Sequence, residues 1–174
     1  MLSLKEIIKH INENDINEAI DDLLYKYNCY YVNIELAIHL MSSENKDIIK
    51  YTLSQKRDDY NFRKSVRTYY NDECIISNHS FEECSICHIK PFSISTQDEK
   101  YNPKNGIILN NSLHALYDKF LFTIHPIDNN IILSNKINSK NTSITKYQDE
   151  YVDINPESYD FLIWHYDNFM SLNK

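Results

Sequence analysis

The chain has 174 residues, 42% hydrophobic and 25% charged, the profile of an ordinary globular protein with room for one compact domain and a helical appendage. Lys and Arg total 18 against 25 Asp and Glu, and the formal charge of −7 argues against a protein that coats nucleic acid through bulk charge, while leaving room for a local basic face. No run approaches the ~20 apolar residues of a membrane span, and MLSLKEIIKHINEN lacks the basic-then-apolar order of a signal peptide, so no membrane association and a cytoplasmic location are expected.

Residues 1–53 carry five Lys and nine Asp or Glu, and Ile7, Ile8, Ile11, then Ile16, Ile20, Leu23 and Leu24 recur at helical spacing. Ser3 with Glu6 and Asp15 with Glu18 have capping-box spacing. This predicts an acidic all-helical segment that serves as scaffold or dimer interface. From Ser54 to Tyr70 the charge reverses: Lys56, Arg57, Arg63, Lys64 and Arg67 stand against Asp58 and Asp59. Interleaved Tyr60, Phe62, Val66 and Tyr69 give this basic helix a face to bury, and a basic helix in an acidic protein is a candidate phosphate-facing surface.

Phe81 to Ile89 reads as a strand that Pro91 ends. Residues 93–104 read as a polar loop, and Asn105-Gly106 before Ile107-Ile108-Leu109 reads as a tight turn entering a second strand, which accounts for the only glycine in the chain. Asn110, Asn111 and Ser112 offer N-caps for a helix to about Leu121. Leu121–Ile124 and Ile131–Leu133 flank a predicted hairpin turn whose His125 is a candidate phosphate contact. Residues 135–146 read as a polar loop, and Asn155-Pro156 opens a closing helix in which His165 is structural. The domains expected are 1–53, an acidic helical segment; 54–134, the functional core; and 135–174, a loop and helix packing on that core.

Chemistry concentrates in the strand, loop, strand, helix unit. His114 and Asp118 are four apart on one helix face, where an imidazole and a carboxylate reach one divalent cation. His88, at the end of the first strand and off the metal, is placed to take a proton from water, since an unperturbed imidazole has a pKa of ~6.5. Asn105 begins the second strand. Cys84-x-x-Cys87 has zinc spacing without a second pair, and a mixed site of Cys74, Cys84, Cys87 and His79 is the alternative to core packing; packing is the preferred reading, so structural zinc is not expected. Cys29 stands alone in the helical segment.

The segments FRKSVRTYYNDECIISN, CSICHIKPF and NPKNGIILNNSLHALYDKFLFTI resemble the HNH endonuclease family, in particular the branch found in bacterial restriction enzymes, and the tail NPESYDFLIWHYDNF resembles its closing helix. The resemblance implies an α+β fold with a ββα-metal core, an N-terminal helical segment and a C-terminal helix. It implies His88 as general base, Asn105 as the residue holding the base's loop, and His114 and Asp118 as metal ligands. Several branches carry an acidic or His ligand just before the base; Cys87 stands there, and as a poor Mg²⁺ ligand it is read as packing, the alternative being a ligand role that implies a softer metal such as Zn²⁺. The function implied is a Mg²⁺-dependent restriction endonuclease, Mn²⁺ substituting, that cleaves double-stranded DNA as a possible homodimer. Arg63, Arg67, Lys90, Lys104 and Lys119 are the expected phosphate contacts. The alternatives are a noncatalytic zinc-held binding module, a nuclease toxin and a modification-dependent nuclease.

Overall fold

Ser3 starts the first helix through a capping box, its hydroxyl accepting from the Glu6 N–H while the Glu6 carboxylate accepts from the Ser3 N–H at 2.8 Å. In the computed structural model, which describes residues 2–42, 44–137 and 142–173, this helix α1 (Leu4–Glu13) precedes α2 (Ile16–Asp21), a π-helical turn at Asp22–Lys26, α3 (Tyr31–Leu40) and α4 (Lys46–Tyr69). Asp15 opens α2 by accepting from the Asn17 and Glu18 N–H groups. The apolar faces of these helices bury Ile7, Ile11, Ile20, Leu23, Ile34 and Ile38 together.

The chain divides into two compact units, residues 1–61 and 62–174. Helix α4 supplies Ile49 and Leu53 to the first core and Phe62 and Val66 to the second. The basic helix expected from Ser54 therefore begins earlier, at Lys46, and residue 53 lies inside it.

In the second unit β1 (Cys84–His88) pairs antiparallel with β2 (Gly106–Asn110), from Cys84 opposite Asn110 to His88 opposite Gly106. The strand is shorter than the expected 81–89 because Phe81–Glu83 form a 3₁₀ turn. Between the strands the predicted loop contains α5 (Gln97–Lys100), opened by a Thr96–Glu99 capping box. Asn110 caps α6 (Asn111–Tyr117) by accepting from the Leu113 N–H at 2.9 Å. This helix stops at Tyr117 instead of near Leu121, since Phe120 takes a left-handed backbone (φ 51°) that no right-handed helix continues. The hairpin β3 (Phe122–Ile124) and β4 (Ile131–Leu133) follows. Of the predicted loop 135–146, residues 142–145 form the helical turn α7 (Thr142–Thr145), anchored by buried Ile144, and 138–141 lie outside the described residues. Helix α8 (Tyr159–Leu172) closes the chain after a 3₁₀ turn at Pro156–Ser158. The result is the expected mixed α+β architecture, with helices at both ends.

Helix α8 meets the hairpin through His165, whose ring stacks on Tyr117 at 3.8 Å and whose Nδ1 lies 2.8 Å from the Thr123 hydroxyl. Burial drives its pKa down to about 3, so the folded ring stays neutral where the unfolded one is charged. The sign follows: the unfolded chain binds the extra proton, so stability is full above about pH 6.5 and falls as pH drops toward 3, at up to about 1.4 kcal/mol per pH unit. Urea midpoints between pH 7 and 5.5 should show this loss in the wild type and a shallower one in His165→Phe; equal slopes would assign the loss to other groups.

Gly106 is needed for a different reason from the one its turn-like dipeptide suggests. Its backbone is extended (φ −122°, ψ 139°), which any residue adopts. A Cβ there would meet Val66 Cγ2 at 2.5 Å and Phe62 Cζ at 2.9 Å, both in buried, closely packed side chains. The glycine admits α4 against the hairpin. Gly106→Ala should cost about 1–3 kcal/mol by overpacking, read as a lower urea midpoint. An unchanged midpoint would show that Phe62 and Val66 move aside freely.

Candidate functional site

Strand pleating decides which side chains of β1 meet α6. Ser85 and Cys87 share one face: the Ser85 hydroxyl lies 2.6 Å from His114 Nδ1, and the Cys87 thiol donates weakly to Asp118 Oδ1 at 3.8 Å. Ile86 and His88 take the other face, where the His88 ring stacks on Phe62 at 4.7 Å and meets Phe92 edge-on at 5.5 Å. His88 Nε2 lies 2.9 Å from the Lys100 carbonyl oxygen. In a neutral ring that carbonyl takes the Nε2 proton as a hydrogen bond, and Nδ1 becomes the proton-accepting nitrogen.

His114 and Asp118 do come together, one turn apart, with Nε2 and Oδ2 3.4 Å from each other. Cys87 joins them. Its sulfur and the His114 and Asp118 ligand atoms all lie within 4.8 Å of one another, one cluster among the described residues able to hold a metal ion. Cys87 is fully buried, while Asp118 has a side chain 59% exposed, so the cluster is closed on the strand side and open on the helix side. Burial and the neighbouring Asp118 carboxylate push the Cys87 thiol well above the ordinary range. A thiol, an imidazole and a carboxylate converging with one open side fit a divalent cation that keeps positions for water and substrate.

Asn105 is fully buried at the mouth of β2 and pins the loop between the strands. Its Oδ1 accepts from the Lys90 N–H at 2.7 Å, and its Nδ2 donates to the Lys90 and Glu99 carbonyls, both at 3.1 Å. The residue after Glu99 is Lys100, whose carbonyl orients His88, so the amide of Asn105 fixes the imidazole through one peptide.

Of the expected phosphate contacts, Arg63 and Lys119 are exposed. Lys90 Nζ reaches both Glu99 oxygens at 2.7 Å, Lys104 pairs with Glu157, and Arg67 pairs with Asp72 while covering the Phe81 ring. Charge counting along the sequence does not see these partners. His125 is likewise engaged in its own turn, accepting from the Asp128 N–H at 3.2 Å.

Among the described residues the remaining cysteines join no group of three or more metal-capable side chains. Cys74 Sγ accepts from the Asn110 and Ser77 N–H groups, and Cys84 donates to the His79 carbonyl, its thiol pushed up to about 11 by burial. Cys87 was weighed as a ligand and read as packing, and three residues of the site were not singled out as working parts from the sequence: Ser85, Phe62 and Glu99. The Thr96-x-x-Glu99 capping box was a readable signal for the last; the others depend on contacts across elements.

An antiparallel hairpin followed by a short helix packed on it, with metal-capable donors shared between strand and helix, defines the ββα-metal class of site. Residues 74–125 match the family model described as HNH endonuclease. That segment contains β1, β2, α6 and the donor cluster, so the likeness to HNH endonucleases falls on the unit that carries the candidate site. No curated protein matches the chain. Among the described residues no helix is long and apolar enough to cross a membrane.

Proposed function

We propose that the chain is a metal-dependent endonuclease of restriction type that hydrolyses phosphodiester bonds of double-stranded DNA. The observation that carries this reading is the adjacency of two devices at residues 87 and 88: a donor cluster on one side of the strand end and a tautomer-fixed imidazole on the other. Residues 87 and 88 are consecutive but their side chains leave opposite faces of the strand, so the reading requires a phosphate that spans the strand end from the donor cluster to the imidazole.

In this mechanism His88 accepts the proton of the attacking water at Nδ1, with Nε2 anchored on the Lys100 carbonyl. Phe62 and Phe92 hold the ring plane, and Asn105 holds the loop that presents the carbonyl. His114 and Asp118 would hold the cation, which supplies charge neutralisation on the phosphate oxygens and the leaving 3′ oxygen. Arg63, Arg67, Lys90, Lys104 and Lys119 would contact the backbone, with Arg67, Lys90 and Lys104 exchanging a carboxylate for a phosphate as they do so. The sequence favoured Mg²⁺ or Mn²⁺ on the premise that Cys87 merely packs.

A palindromic target calls for a two-fold dimer. The first unit has apolar side chains for such an interface, with Val32, Leu36 and Leu40 exposed at four-residue intervals on α3. Sedimentation of the pure chain checks this: a monomer at micromolar concentration removes the dimer. Supercoiled plasmid incubated with the protein and Mg²⁺ or Mn²⁺, followed by sequencing of the ends, tests the activity. The reading expects ends that carry 5′-phosphate at a defined sequence, and scattered cuts would remove the restriction assignment.

A further inference from the structure

We propose that Cys87 is a protein ligand of the cation and that it makes the centre selective for borderline cations of the Zn²⁺ and Co²⁺ class over Mg²⁺. This rests on the metal-dependent reading above and names the metal class of that same site. As the ion binds, a sulfur–metal bond forms and the thiol proton passes to solvent.

Three observations carry the inference. The sulfur is fully buried at the edge of the hydrophobic core yet approaches oxygen, the His88 carbonyl at 3.5 Å and Asp118 Oδ1 at 3.8 Å, and it shares a 4.8 Å cluster with His114 and Asp118. Two elements converge on that point, one donor from the end of β1, one from α6 and one, four residues on, from the C-cap of α6. The third observation is Ser85, two residues before Cys87 and therefore on the same face of the strand. Its hydroxyl at 2.6 Å from His114 Nδ1 leaves Nε2, the nitrogen beside Asp118, as the coordinating atom. An imidazole held in one orientation through its second nitrogen is the usual arrangement of a metal-ligating histidine. Ser85 is thus a positioning residue for the centre.

The donor chemistry gives the selectivity. Mg²⁺ dehydrates reluctantly and takes oxygen ligands, whereas a thiolate with an imidazole and a carboxylate suits Zn²⁺ and Co²⁺. Three protein donors with an open side leave a position for water or phosphate, unlike the closed four-ligand site of a structural zinc.

The test is spectroscopic and uses the full chain with Co²⁺ alone. The wild type should develop visible ligand-field bands together with a near-ultraviolet thiolate-to-cobalt charge-transfer band. Cys87→Ser should lose the charge-transfer band, Cys84→Ser should retain it, and Ser85→Ala should weaken Co²⁺ binding roughly 10- to 100-fold. Competition with Mg²⁺ should displace Co²⁺ more readily from Cys87→Ser than from the wild type, with circular dichroism showing that the variant is folded. Ligand-field bands that depend on His114 but lack charge transfer in the wild type would overturn the Cys87 assignment and leave the metal-dependent reading intact. Absence of any His114-dependent Co²⁺ binding would overturn both.

Discussion

His88→Ala should lower the rate of plasmid cleavage by roughly 10²- to 10⁴-fold, the span that removal of a general base commonly costs. DNA binding should stay within a few fold, because the role assigned to this ring is proton transfer, while the phosphate contacts are assigned to lysine and arginine side chains. Its removal opens a gap beside Phe62, so a thermal melt of the variant belongs with the kinetics. A folded variant that keeps more than a few per cent of wild-type cleavage would take the proton-accepting role away from His88. Asn105→Ala should act through the same imidazole: it strands the Lys90 N–H and the Lys90 and Glu99 carbonyls, frees the loop, and lowers the rate without removing the base itself.

The second large effect concerns the cation. Loss of a residue that only orients a ligand costs roughly 10- to 100-fold in metal affinity, so loss of a ligand should cost at least that. His114→Ala is therefore expected to raise the cation concentration for half-maximal cleavage at least ~10-fold, with Asp118→Ala doing likewise. The two residues share one helix face and one cluster, so the double variant should be little worse than the poorer single one. Cleavage titrations read all three; unchanged curves in both single variants would place the ligands elsewhere.

Local signals made much of the fold legible. Capping residues at Ser3, Asp15, Asn110 and Asn155 and the period of the apolar residues depend only on near neighbours, and the two hairpins follow from short apolar runs separated by polar ones. The limits of α6 were not legible, because the left-handed backbone at Phe120 is not a habit of phenylalanine. Gly106 was noticed for its rarity but explained by a turn, when the cause is the approach of Phe62 and Val66 from a helix some forty residues earlier. The same limit applies at the candidate site. The spacing of His114 and Asp118 places them on one face, which needs only helix geometry. That Cys87 turns toward them while His88 turns toward Phe62 depends on the register of β1 against β2 and on which face α6 covers. Pairing of Lys90, Lys104 and Arg67 with acidic partners was hidden for the same reason.

Conversion of supercoiled plasmid by the full wild-type chain, followed with added divalent cation and with chelator, tests the central claim most directly. A ββα unit that works through a cation held by His114 and Asp118 predicts relaxed and then linear DNA with at least one of Mg²⁺, Mn²⁺, Co²⁺ and Zn²⁺ and none with EDTA. Plasmid left intact by all four cations, or cut equally well in EDTA, would contradict it.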